Sequence, residues 1–171
     1  MGRREKKNWG LKLLSLVGST SEIFFSVPGG KFAVSDHFKA GSAEVEISYI
    51  GDNFKNRFLG LVEGKSDAVC FSFYNLLKHS VDQPIIQELG GESKVVVTAR
   101  LLWELLKTQN NGQSGILLTN GYSNIFYICD SFGVLCAVFV RWFGSGWVVD
   151  TYSVMDSDGW YPGYRIFSRN S

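Results

Sequence analysis

Residues 134–142 constrain this chain more than any other segment. Val134, Cys136, Val138, Val140 and Trp142 fall on one face of an extended strand, and Leu135, Ala137 and Phe139 on the other. A strand whose sheet has one wet face alternates apolar and polar residues. This one is apolar on both, so both faces of its sheet must be covered. Helices suit one face. The other needs a second sheet layer, a partner subunit, or a ligand cavity under a curved sheet, and at 171 residues a second layer is the simplest of the three.

Around that strand the pattern is all-β. Residues 115–119, 122–129, 134–142, 147–154 and 164–168 read as strands. They are joined by Asn120-Gly121, the turns 130–133 and 143–146, and a longer loop over 156–163. Short turns between consecutive strands predict an antiparallel meander. The earlier part is mixed. Strands are expected at 22–27 and 31–34, separated by Pro28-Gly29-Gly30, with further candidates at 58–63 and 68–74. Residues 43–50 alternate cleanly, with Ala43, Val45, Ile47 and Tyr49 on one face and Glu44, Glu46 and Ser48 on the other.

Two helices follow. Asp82 reads as an N-cap, Pro84 fits the first turn, Ile85, Ile86 and Leu89 make a stripe, and Gly90-Gly91 closes it. The second runs over about 98–109, with Leu101, Leu102, Leu105 and Leu106 buried and Arg100–Glu104 as an i, i+4 pair; Asn110-Asn111-Gly112 ends it. A third is expected near the start, where Gly10, Leu13, Leu14 and Val17 share a helical face behind a flexible basic tail at 1–7. The chain therefore reads as one α+β domain over 1–171: an antiparallel sheet, in two layers or a partly closed barrel, with two or three helices packed on it.

Composition removes several classes of function. With 45% hydrophobic and 15% aromatic residues and a net charge of +1, the chain is neither disordered nor a globally basic nucleic-acid binder. Arg3, Arg4, Lys6 and Lys7 before residues 11–17 sketch a signal peptide. That apolar stretch is short, interrupted by Lys12 and followed by no small-x-small site, and Gly2 lacks the partner residue of a myristoylation signal. No run of 18 apolar residues exists to span a membrane. Three cysteines do not make a disulfide framework. Cys129 and Cys136 flank the 130–133 turn. They are diagonal neighbours in one register and on opposite faces in the next, out of bonding reach either way. Free thiols and a cytoplasmic location are expected.

Catalytic patterns are sparse. His37 or His79 beside Cys70 would make a nucleophile and base, but Cys70 sits in an apolar strand and nothing fixes the geometry. No spacing suits zinc. Asp156-Ser157-Asp158-Gly159 resembles a calcium-loop fragment without its remaining ligands, and a tight turn asks for the same residues. The glycines at 144–146 and 27–30 lie in hairpin turns, not between a strand and a helix, so no phosphate cradle is expected. No cofactor and no metal is implied.

What stands out is aromatic density near the C-terminus, with arginines interleaved. Trp142, Trp147, Tyr152, Trp160, Tyr161 and Arg165 are the candidate binding residues, because aromatic and arginine side chains dominate binding hot spots. Most of the aromatics are expected to fill the core. Trp160 and Tyr161, beside Pro162 in a loop, are expected to face outward.

The segment from Gly146 to Tyr152 and that from Gly159 to Arg169, with its W-x-x-G-x-R-I-F-S-R run, resemble the ends of small uncharacterised bacterial proteins sharing W-x-x-G-x-R-[V/I]-F-S-R. The resemblance covers about the last third of the chain and implies a bacterial product of the mobile gene pool. It transfers no activity and no functional residue.

These readings predict a cytoplasmic, non-catalytic accessory protein that binds a protein partner, itself, or a small apolar ligand, with neither nucleic acid nor membrane as partner. A competing expectation is a small hydrolase or isomerase using Asp150 as acid or base in a sheet cavity, against which stands an Asp150–Arg141 ion pair across the 143–146 turn. A third is an antitoxin or immunity-type inhibitor.

Overall fold

The computed structural model describes residues 12–20, 30–64 and 70–169. The basic tail at 1–7, the strand expected at 22–27, Pro28-Gly29 and the first residues of the strand expected at 68–74 lie outside them.

The strands are β1 (Leu14–Ser19), β2 (Phe32–Ala33), β3 (Ile47–Ile50), β4 (Val62–Glu63), β5 (Phe71–Leu76), β6 (Asn124–Cys129), β7 (Leu135–Trp142), β8 (Trp147–Ser153) and β9 (Arg165–Arg169). The helices are α1 (Val34–His37), α2 (Asp52–Phe58), α3 (Asp82–Glu88), α4 (Glu92–Val95) and α5 (Ala99–Thr108). β2 and β4 form a small antiparallel ribbon. The other strands make one open sheet in the order β1-β5-β9-β6-β7-β8-β3. β9–β6 and β8–β3 pair in parallel and the remaining neighbours antiparallel, so the sheet is mixed rather than antiparallel throughout, and it closes into no barrel.

The meander holds for β6-β7-β8 and then stops. β9 does not continue beside β8; the chain crosses the sheet and inserts β9 between β5 and β6. Residues 115–119 are not a strand. Two of these residues bond to side chains instead: Leu117 N–H donates to Gln109 Oε1 at 2.8 Å, Gln109 Nε2 to the Leu117 carbonyl at 2.9 Å, and Leu118 N–H to Asn124 Oδ1 at 2.8 Å.

The doubly apolar strand is covered on both faces by this chain itself. Phe126, Ile128, Cys136, Val138, Val140 and Phe167 face α1, α2 and α5 through Phe38, Phe54, Phe58, Leu101, Leu102 and Trp103. The alternate residues Ile125, Tyr127, Ala137, Phe139 and Ile166 meet Ile85 and Ile86 of α3, Val95 of α4, and Val154 and Trp160 of the β8–β9 crossover. The second face therefore carries short helices and an irregular strap instead of a second sheet.

Local chemistry explains several departures. Where an amphipathic helix is expected at 10–17, residues 14–17 lie in strand β1: Leu14 pairs with Leu76 and is buried, Leu16 and Val17 are exposed, and Gly10 is outside the described residues. Cross-strand pairing overrides a helical stripe that has nothing to bury against. At β3 a bulge sets Ile47 against Trp147 but Tyr49 against Val148. The extra residue flips the facing, so Ile50 turns inward and Tyr49 outward. Asp82 is not an N-cap; Val81 holds that position and Asp82 is the first helical residue, with its carboxylate turned into the sheet. The end of α3 is as expected. Gly90 and Gly91, both at φ +101°, take the left-handed turn, and Gly91 N–H donates to the Ile86 carbonyl at 2.9 Å. α5 is capped twice: Thr98 Oγ1 accepts from Leu101 N–H, and the Glu63 carboxylate accepts from Ala99 and Arg100 N–H at 2.7 and 3.0 Å.

No helix among the described residues is long and apolar enough to cross a membrane.

Candidate functional site

The antiparallel register of β7 and β8 places Phe139 and Arg141, two apart, on the face away from α5, with Tyr152 diagonal to Phe139 across the pair. The rings of Phe139 and Tyr152 lie 5.1 Å apart. After β8 the chain turns at Val154 and crosses toward β9. An isolated bridge stops it halfway: Trp160 N–H donates to the Ser80 carbonyl at 2.8 Å, and Ser80 N–H to the Trp160 carbonyl at 3.2 Å. Gly159 brings the crossover against His79, because a Cβ there would lie 2.6 Å from the imidazole.

Trp160 is anchored from below. Its indole Nε1 donates to Asp82 Oδ1 at 2.7 Å, and Tyr127 Oη donates to the same oxygen at 2.8 Å. Asp82 is buried. Desolvation lifts its pKa above the ordinary carboxylate value, and the two donors only partly offset that. Burial, with the Asp82 charge second, pushes the Tyr127 hydroxyl well above its ordinary value, so it stays a donor.

Between crossover and sheet lies an open cavity of about 570 Å³, lined by His79, Ser123, Phe139, Arg141, Tyr152, residues 157–159, Trp160, Tyr161 and Tyr164. Its walls are continuous aromatic contacts. Trp160 lies 5.7 Å from Phe139, 5.9 Å from Tyr152 and 6.3 Å from Tyr164, and Tyr161 packs edge-on against His79 at 5.4 Å. The Arg141 guanidinium carbon sits 4.8 Å from the Phe143 ring centre and 5.9 Å from that of Phe139, and its Nε is shut off from water with no hydrogen-bond acceptor.

Of the six residues singled out in the sequence, Tyr152, Trp160 and Tyr161 line this cavity. Tyr152 (41% exposed) and Tyr161 (60%) present their rings outward; Trp160 (6%) is part of the core, against the expectation for a loop aromatic. The other three hold the fold. Trp142 and Trp147 face each other across β7–β8 at 5.5 Å. Trp147 is fully buried and donates its Nε1 to the Gln109 carbonyl, and Trp142 packs where Gly112 leaves room. Arg165 donates to the Ile116 carbonyl at 2.6 Å and to Asn75 Oδ1 at 3.3 Å, over the ring of Phe73.

The other candidates resolve in the same way. Asp150 pairs neither with Arg141 nor with the cavity. Its Oδ1 accepts from Phe54 N–H at 3.2 Å and Thr151 N–H at 2.9 Å, capping α2 across the space that Gly51 leaves. Cys70 and His79 lie beyond opposite ends of β5, whose six residues alone span about 20 Å. Cys129 pairs with Leu135 and Cys136 with Ile128, which puts the thiols on opposite faces; both are free. Asp156 Oδ1 accepts from Asp158 N–H at 2.9 Å, the turn expected of that sequence. Among the described residues no three His, Cys, Asp or Glu side chains gather as a metal site.

Sequence reasoning did not assemble Phe139, Arg141, His79 and Tyr164 into one site. One signal was available. Arg141 is the lone cation in an otherwise apolar strand, two residues from Phe139 and hence on its face.

No protein-family model, no curated protein and no solved structure matches this chain.

Proposed function

We propose that this protein acts by binding rather than by catalysis, and that it takes a small ligand with a flat apolar body in the cavity between the crossover and β7–β8. One observation carries this reading: a cavity of about 570 Å³, within the range of about 300–1,000 Å³ common for small-molecule sites, is walled by aromatic rings around a few polar groups. The rings are held by the frame. Trp160 is fixed from below by Asp82 and Phe139 by the sheet register. Binding therefore needs little reordering.

Two groups that could do chemistry are engaged in packing and capping. His79 meets an aromatic edge, and Asp150, the acid or base expected from the sequence, is committed to capping α2. The free cysteines support a reducing compartment, and hence a cytoplasmic accessory role in the bacterial setting that the C-terminal pattern suggests.

Native mass spectrometry of the protein as purified tests the proposal. A bound mass of a few hundred daltons that is lost in Tyr152→Ala supports it. A bare monomer that also fails to bind any aromatic probe at millimolar concentration overturns it. An oligomer that disappears in Tyr161→Ala replaces it with self-association through the same surface.

A further inference from the structure

The ligand's charge is written in the cavity wall. Arg141 differs from the described cations that are held by partners, because its guanidinium is partly buried without one. Arg57 pairs with Asp130 at 2.9 Å, Lys107 with Glu104 at 2.9 Å, and Arg165 is bound to a carbonyl and an amide oxygen. Among the described residues Arg141 has neither a hydrogen-bond acceptor nor an ion-pair partner; its Nε is dry, and the Phe143 ring stacks on its guanidinium. A guanidinium planted on an aromatic shelf, half-buried and without an acceptor, is set for an anion.

Building on the proposed binding function, we infer that the ligand is a planar aromatic acid carrying one carboxylate: the carboxylate pairs with Arg141 and the ring lies among Phe139, Tyr152, Trp160 and Tyr164. The single charge follows from the surroundings. One arginine lines the cavity, neither a helix N-terminus nor a glycine nest adds backbone donors, and Asp158 on the rim opposes a second negative charge. The flat body follows from the walls, since offset and edge-to-face stacking reward a ring over an aliphatic chain of equal area. A cation held in an aromatic cage would have to sit beside Arg141, which repels it.

A matched series on the unmodified protein tests this by calorimetric titration: indole-3-acetate, its neutral amide, and tryptamine share a ring and differ in charge. The expected order is the acid at least tenfold tighter than the amide and tryptamine weakest. Arg141→Met, which keeps a stem for Phe143 to pack on, is expected to bring the acid down to the affinity of the amide and leave the amide unchanged. Equal affinity for acid and amide overturns the inference while leaving an aromatic-binding site intact. Tightest binding by tryptamine overturns it in favour of a cation cage. No binding by any of the three, with no ligand on the purified protein, removes both the inference and the function it rests on. Because the charge series uses the unmodified chain, a poorly folded Arg141 variant does not blunt it.

Discussion

The Asp82 carboxylate and the Trp160 indole meet at 2.7 Å although 78 residues separate them along the chain. Tyr127 of the central strand β6 donates to the same oxygen. One atom thus ties α3, the sheet and the crossover together, and the floor of the cavity rests on that knot.

Replacing Trp160 therefore acts on stability as well as on binding. Trp160→Ala is expected to cost about 3–5 kcal/mol in urea unfolding, as large aromatic truncations in a core do. Trp160→Phe keeps a ring but withdraws a donor from a buried carboxylate and is expected to cost about 1–3 kcal/mol. Tyr161→Ala, an exposed side chain, should change stability by about 0.5 kcal/mol or less. Equal losses for Trp160→Ala and Tyr161→Ala would contradict the assignment of Trp160 to the core.

The buried Asp82 leaves a mark on pH dependence. Desolvation raises its folded pKa, so the native protein keeps a proton that the unfolded chain has released. Its contribution is fully present below the ordinary carboxylate value of about 3.9 and is lost as pH rises through the raised value. Glu63, lifted by burial, has the same sign. Asp130 has the opposite one: burial pushes it up, but amide donors and Arg57 bring it net below its ordinary value, so its contribution is lost on acidification. The difference between the unmodified protein and Asp82→Asn isolates one group. Unfolding measured from acid to neutral pH is expected to show the variant gaining on the parent as pH rises. Parallel curves would mean that Asp82 titrates normally.

Gly51 and Asp150 should be strongly coupled. A Cβ at residue 51 would lie 2.0 Å from the Asp150 carboxyl group. Asp150→Ala removes the cap on α2 and is expected to cost about 0.5–2 kcal/mol. Gly51→Ala alone forces a clash of about 1–3 kcal/mol. Combined, the second change should add little, because the atoms it strikes are gone. Additive losses in the double-mutant cycle would show that Asp150 does not occupy that space.

Cys129 and Cys136 are expected to resist oxidation to a common bridge. They occupy opposite faces of the β6–β7 hairpin, and burial pushes both thiols up from their ordinary pKa. Peptide mapping after diamide treatment should find no link between them, and alkylation at neutral pH should be slow until the protein is unfolded. A 129–136 disulfide in the folded protein would show that the hairpin register is different.

Patterns local in the chain were legible in the sequence. Val138 and its neighbours announced a strand covered on both faces, and Leu101 to Leu106 announced the helix that covers one of them. The material on the second face was not legible. α3 and α4 are short, and Trp160 in an irregular loop carries no mark of an aspartate 78 residues away. Neighbouring strands in sequence suggested that β9 lies beside β8, whereas its partners β5 and β6 are chosen by packing at long range. Tyr49 points outward because of a bulge that alternation alone does not reveal. At the cavity, Tyr152 and Tyr161 were readable as aromatic excess, while Arg141 gained its meaning only from its place on the Phe143 ring with no acceptor beside it among the described residues.

The place of β9 also sets a clock. It is the last strand among the described residues, yet it lies third in a row of seven, between β1-β5 on one flank and β6-β7-β8-β3 on the other. Until residues 165–169 arrive, those flanks have no shared edge, and β5 and β6 each expose an unpaired row of backbone donors and acceptors. Both flanks precede β9 in the chain, so the two half-sheets share no backbone ladder except through this one five-residue strand.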